Sequence, residues 1–381
     1  MAYKSVLFAS ILIFTFTFSM RASNNMIITT VPLIARYYFH FSDLEIGVVS
    51  SLVTLISFFS SAFINARLPS VLRRKVFIAS SIIYAVLFPF FYFSNPILLW
   101  FLASLVGFTL GIVGPNIMTS AGLFEDGKVR ERMLSLYTVA LSTSLIVGPF
   151  IESIVLTRFT LFQAFLFFTS FALILAFLSP LIEFPSSQQS VNRKGVVRNK
   201  GFLIPIFLNL MYALPFGLLT TFGGIYAVSD FHASYSLATA LFGMFFLTSL
   251  LGRLFVTVKA PDRLLPYIII ASTTTVFGLL LVAIAPNIYA YAFGLLVLGV
   301  PHGLTYPISL IAMTRSFPSE EVRSVANSYF SAIMMGFAAF VPMTISILVE
   351  AVGIRLSFLS VVPVSLAFFG GVIYGQRYVK L

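Results

Sequence analysis

An arginine in the middle of an apolar run is the first residue of this chain that demands a chemical explanation. Arg21 lies within the uninterrupted apolar stretch 6–34. At ~1.5 Å per helical residue from Val6 it sits roughly 22 Å into that stretch, near its middle. Four-residue spacing places Thr17, Arg21 and Asn25 on one helix face, with Asn24 beside them. A guanidinium offers a permanent charge and a rigid fork of donors that matches a carboxylate or phosphate. The acidic residues that could neutralise it from within are missing from mid-span positions. Asp43, Glu45, Glu152, Asp230 and Glu350 fall near the outer ends of apolar runs, and the others in inner loops or the linker. Two readings follow: Arg21 meets an anionic group of a solute, or it pairs with a buried carboxylate or caps carbonyls freed at a kink.

Further polar stripes recur at helical spacing. Asn209, Tyr212, Phe216 and Thr220 share one face, Asn116 and Thr119 follow a Gly-Pro bend, and His302 is followed at i+4 and i+7 by Tyr306 and Ser309. The candidate substrate-binding set is therefore Arg21, Asn25, Asn116, Asn209, Tyr212, His302 and Tyr306. Each alternatively serves as an interhelical hydrogen bond, worth ~0.6 kcal/mol on average in membranes. Candidates for proton coupling are Glu152, Glu350 and His302. The two glutamates also read as solvated interfacial residues, and His302 as a hydrogen-bonded structural histidine.

Catalytic chemistry finds little footing. There is no Cys, and the 3 His are scattered, so no metal site or cofactor is expected. The strings D-x-x-D, H-E-x-x-H, G-x-S-x-G and G-x-x-x-x-G-K-[ST] are absent, which argues against a membrane-embedded enzyme or a nucleotide-driven pump. A non-transporting receptor is the other alternative.

The elements that position these residues must live in lipid. The chain is 59% hydrophobic and 9% charged, against about 25% charged in a soluble domain. Apolar runs fall at 6–34, 43–64, 76–93, 97–120, 133–155, 160–180, 202–226, 235–257, 264–285, 288–313, 325–349 and 355–375. Each is long enough for a bilayer-spanning helix. The expected fold is all-α and polytopic, with twelve transmembrane helices. The first run, despite Lys4 before it, is expected to be a retained span rather than a cleaved leader. A polar linker at 183–200 separates residues 1–182 from 201–381.

The net charge of +11 would suggest nucleic acid in a soluble protein. Here the positive charges sort by side instead. Of the 23 Lys and Arg, only Arg36, Arg158 and Arg355 fall in the alternate loops, and Arg21 in a span. The positive-inside rule then puts both termini and the linker in the cytoplasm, most simply at the cell membrane, with no nucleic-acid partner.

The chain also repeats itself. At an offset of 192 residues, Phe39-His40-Phe41-Ser42 overlies Phe231-His232-Ala233-Ser234, Asn95 overlies Asn287, and Gly107, Gly111 and Pro115 overlie Gly299, Gly303 and Pro307. An even number of spans per repeat makes the duplication parallel, the arrangement used when two halves rock about a shared cavity. In this layout, with its short basic loop from Asn65 to Lys75, the chain resembles the major facilitator superfamily. The loop keeps the basic ending Arg73-Arg74-Lys75 of the family string G-x-x-x-D-R-x-G-R-[RK] and lacks its Asp and Gly. Gly148-Pro149 is a remnant of the exporters' G-x-x-x-G-P-x-x-G-G, or a kink with a small residue for packing. The resemblance implies two pseudo-symmetric six-helix bundles, a monomer, and a central cavity lined by spans one, four, seven and ten. It implies a permease working by alternating access on a small organic solute, with H+ as a coupling ion and efflux as one direction. The central Arg and the abundant aromatic residues suit an anionic or amphipathic compound.

Overall fold

The computed structural model describes residues 5–65, 68–124, 126–184, 200–259, 262–316 and 320–375. Most of the linker, with Arg193, Lys194 and Arg198, lies outside the described residues, as do Arg67, Arg377 and Lys380. The described chain is helical: α1 Val6–Tyr37, α2 Asp43–Phe59, α3 Ser70–Phe90, α4 Pro96–Ala121, α5 Gly127–Leu156, α6 Leu161–Leu178, α7 Leu203–Phe231, α8 Tyr235–Lys259, α9 Leu265–Ile284, α10 Ile288–Ser316 and α11 Glu320–Gly375. A π-helical turn, Ser60–Ile64, extends α2.

Local chemistry explains where these helices begin. Ser42 and Glu45 form a reciprocal capping box at α2, and Thr160 with Gln163 does the same at α6. Asn95 accepts from the amide of Leu98 ahead of Pro96, a proline at a first-turn position where no intrahelical N–H is needed. Several helices outrun the apolar segments that announce them. α3 starts at Ser70 rather than 76, and α5 at Gly127 rather than 133, because hydropathy marks only the part compatible with hydrocarbon. Basic residues such as Arg73, Arg74 and Lys75 continue the helix beyond it.

Eleven helices among the described residues are long and apolar enough to cross a membrane. The last is not a single rod. Gly353 adopts φ 79 and ψ 162 inside α11, a backbone that side-chain-bearing residues rarely take. Without that break Ala332–Gly375, 44 residues, would run ~66 Å, about twice the ~30 Å hydrocarbon thickness. Large apolar side chains such as Phe177 and Ile97 point outward. Polar side chains such as Thr17, Ser23 and Asn116 are buried. That is the distribution expected when the outer solvent is lipid.

The chain forms two compact units. The first holds α1 to α6 with the opening turns of α8, Tyr235–Gly243. Here α1 packs chiefly on α5, and α2 on α4. Tyr84 donates to Ser23 Oγ at 2.8 Å, and Phe91 stacks on Phe165 with centroids 4.5 Å apart. The second unit holds α7, α8 from Met244, and α9 to α11. Its core includes Leu208, Met211, Ile268 and Ile308. Tyr291 donates to Gly223 O at 2.8 Å.

Residues related by the offset of 192 do the same structural work. His40 and His232 both take φ 53 in the turns after α1 and α7. Asn95 and Asn287 both accept backbone amides at helix starts. In α4, Gly107 and Gly111 lie against the carbonyl oxygens of Val53 and Ser57. In α10, Gly299 and Gly303 lie against those of Phe245 and Ser249, the offset partners of Val53 and Ser57. A Cβ at any of the four would enter the neighbouring backbone, so glycine sets how closely each helix pair approaches.

Candidate functional site

In the first unit the surface that asks for a ligand is the Arg21 face of α1. Thr17 Oγ1, Arg21 Nε and Asn24 Oδ1 are buried atoms that meet no hydrogen-bond partner among the described residues. They stand at i, i+4 and i+7, so one stripe of the helix carries all three. Together they offer guanidinium donors, a hydroxyl able to donate or accept, and an amide oxygen. Leaving such atoms unmet costs about 1–3 kcal/mol each.

The neighbouring amide is used differently. Asn25, grouped with Arg21 on spacing alone, turns toward α5 and donates to Ser144 O at 3.5 Å. It is Asn24, one residue and ~100° around the helix, that completes the Arg21 stripe. Gly148 lies against Ala22 of α1, where a Cβ would stand 3.4 Å from Ala22 Cα. The Gly148-Pro149 pair thus sits at a close helix contact.

Glu152 corrects the expectation of a solvated interfacial carboxylate. It is 1% exposed. Its Oε2 lies 2.9 Å from Thr29 Oγ1, and Oε1 meets Thr30 Oγ1. Sequence position marks closeness to the outer end of α5, whereas burial is decided by α1 packed over it. Glu350, by contrast, is exposed.

Asn116 donates to Asn65 Oδ1 at 2.7 Å and to Ile112 O at 2.8 Å, which occupies both amide hydrogens in tying α4 to the end of the π-helical turn. Thr119 donates to Pro115 O.

In the second unit His302 sits in an aromatic box. Its ring stacks on Phe216 at 4.6 Å and 22°, with Phe245 at 5.2 Å, Phe246 at 5.7 Å and Tyr212 at 5.9 Å. Nδ1 is 2.7 Å from Ser249 Oγ. Tyr212 donates to Leu298 O at 2.6 Å, and Asn209 binds Pro205 O and Ser309 Oγ. Tyr306 is 47% exposed. Tyr212 and His302 are therefore brought together, with their polar atoms engaged in fixing α7, α8 and α10. Ser249, Phe245 and Phe246 escaped the sequence reading. The signal was present in the repeat, since Ser249 is the offset partner of Ser57, whose hydroxyl donates to Gly107 O in the first unit.

The family profile of the Major Facilitator Superfamily matches residues 13–322 and 206–379. The chain belongs to this superfamily. Solved structures agree on the fold. The nucleoside transporter NupG superposes with TM-score 0.74 at 15% identity, covering 97% of this chain and 99% of that one. A bacterial homologue of the human lysosomal transporter Spinster, inward-facing and unoccupied, gives 0.71 at 13% identity, covering 98% and 97%. A point mutant of the peptide transporter POT gives 0.78 at 9% identity, covering 97% and 95%. No curated protein sequence matches the chain. Membership makes this superfamily member an integral membrane transporter of small molecules and not an enzyme.

Proposed function

We propose that this chain is a permease that moves a small organic anion across the cell membrane by alternating access, binding it at Arg21, Thr17 and Asn24. One observation carries the reading: three buried polar atoms on one stripe of α1, one of them on a cation, have no hydrogen-bond partner among the described residues. A carboxylate or phosphate entering there would accept from Arg21 and Thr17, and a neighbouring hydroxyl or amine on the same solute would donate to Asn24. The substrate is thus an anion that also bears a donor. The remaining candidates with engaged polar atoms position helices, while Tyr306 stays half-exposed in the second unit.

Twelve spans follow if α11 crosses twice about Gly353, with residues 1–182 and 201–381 as six-helix bundles joined by the linker at 183–200. The sorting of Lys and Arg supports cytoplasmic termini. A monomer, coupled to H+, completes the proposal. The exporter-like Gly148-Pro149 favours outward movement of an acid that accumulates inside.

The test is flux into and out of proteoliposomes under an imposed pH gradient, across a panel of organic acids, nucleosides, sugars and peptides. Anionic compounds are expected to move with wild type and to stop with Arg21→Ala. Equal anion flux in both proteins, or transport confined to neutral compounds, overturns the proposal.

A further inference from the structure

We propose that the Glu152 carboxyl, closed on the Thr29 and Thr30 hydroxyls in the α1–α5 seam, is a proton-binding site linked to anion binding at Arg21. The linkage rests on the transport reading above; the proton site does not.

Thr29 has one hydroxyl hydrogen and three acceptors around it: Asn25 O and Met26 O, each at 3.1 Å, and Glu152 Oε2 at 2.9 Å. Helical threonines habitually donate back to the carbonyl one turn earlier. Once Thr29 does so, its contact with Oε2 needs a hydrogen from the carboxyl. Thr30 then donates to Oε1. A neutral Glu152 is fully satisfied in this arrangement, Oε2–H to Thr29 and Oε1 from Thr30.

Among the described residues, an ionised Glu152 would be a buried charge without an ion-pair partner. Of the elements packed on α5, neither α4 nor α6 contains an ionisable residue. The opening turns of α8, where Ser236 donates to Ser153 O at 2.8 Å, bring Tyr235. From α1 come Arg36 and Tyr37 at the outer end and Arg21 farther in. Arg36 is ion-paired with Asp43 at 3.2 Å. The other ionisable residues of α5 itself are Tyr137 and, at its start, Lys128, Arg130, Glu131 and Arg132. Buried charges without partners are avoided by taking up a proton. Here the proton comes from water onto Oε2 and returns to water when Glu152 ionises.

The proton site and the anion site share helix α1. Thr29 lies two turns, roughly 12 Å, beyond Arg21 along α1. A negative Glu152 at that separation competes with a bound anion for the Arg21 field, weakening anion affinity about tenfold at an effective dielectric of ~20. Proton and anion therefore bind together, and the carrier moves them as an acid.

Infrared pH-difference spectra of the full chain in liposomes test the proton site without any substrate. A protonated-carboxyl band is expected at neutral pH in wild type and in Arg21→Ala, lost in Glu152→Gln and displaced in Thr29→Val. Glu152→Gln is isosteric, and an unchanged melting temperature certifies its fold. Wild-type and Glu152→Gln spectra that coincide at neutral pH overturn the proton site. With lactate, a carboxylate with a neighbouring hydroxyl, as the probe anion, wild-type affinity is expected to fall about tenfold as Glu152 ionises, and that of Glu152→Gln to stay at its low-pH value. An equal fall in both proteins overturns the linkage. Absence of lactate binding to wild type at every pH counts against the linkage and against anion recognition at Arg21, while the infrared band still decides the proton site.

Discussion

Replacing Arg21 by methionine removes the charge from α1 while keeping most of the apolar stem. Two consequences with opposite signs follow from the same geometry. A hydrogen bond to a charged group contributes about 1.5–3 kcal/mol. Losing one guanidinium–anion contact should therefore weaken anion binding between about tenfold and about 150-fold. The fold, however, gains. Arg21 Nε is buried without a hydrogen-bond partner among the described residues, and relieving one such atom recovers about 1–3 kcal/mol. Arg21→Met is thus expected to melt at or above the wild-type temperature in detergent while its anion flux in proteoliposomes collapses. Arg21→Lys should retain part of the affinity, because the charge persists without the fork. Flux by Arg21→Met equal to wild type refutes the binding role. A large fall in melting temperature refutes the premise that Arg21 Nε goes unsatisfied in the fold.

Other perturbations separate packing from binding. Gly303→Leu drives a side chain into Ser249 O, and overpacking of that kind should cost at least about 1–3 kcal/mol, read as a lower melting temperature; Gly111→Leu, its repeat partner against Ser57, should behave alike, and unequal effects would argue against equivalent helix seams. Asn116→Ala leaves Asn65 Oδ1 without its 2.7 Å donor and should destabilise the protein by about 1–3 kcal/mol; an unchanged melt would show that the pair adds nothing. In this Cys-free chain, Arg193→Cys should react with a membrane-impermeant maleimide only after the cytoplasmic face is opened. Labelling from outside intact cells would reverse the proposed orientation.

The hydropathy of the runs, the positions of Gly, Pro and Asn, and the spacing of the duplication are local properties, and they carried the architecture. Thus the matched φ of His40 and His232 and the Gly111 and Gly303 contacts were already written in residues 192 apart. The presence of Arg21 within a span was equally plain, because charge and rise per residue need no partner to be read. What its neighbours do was not. Asn24 and Asn25 are adjacent in the chain, and only α5 packed on one side of α1 decides that Asn25 is engaged while Asn24 stays open. Glu152 looked interfacial because its own helix is nearly finished there; Thr29 and Thr30, more than 120 positions away, enclose it. Asn116 and Tyr212 looked available until Asn65 and Leu298 took their hydrogens. Hydrogen-bond saturation is a property of pairs brought together across the fold, so tertiary structure alone determines which polar groups are spent on holding helices and which are left for a solute.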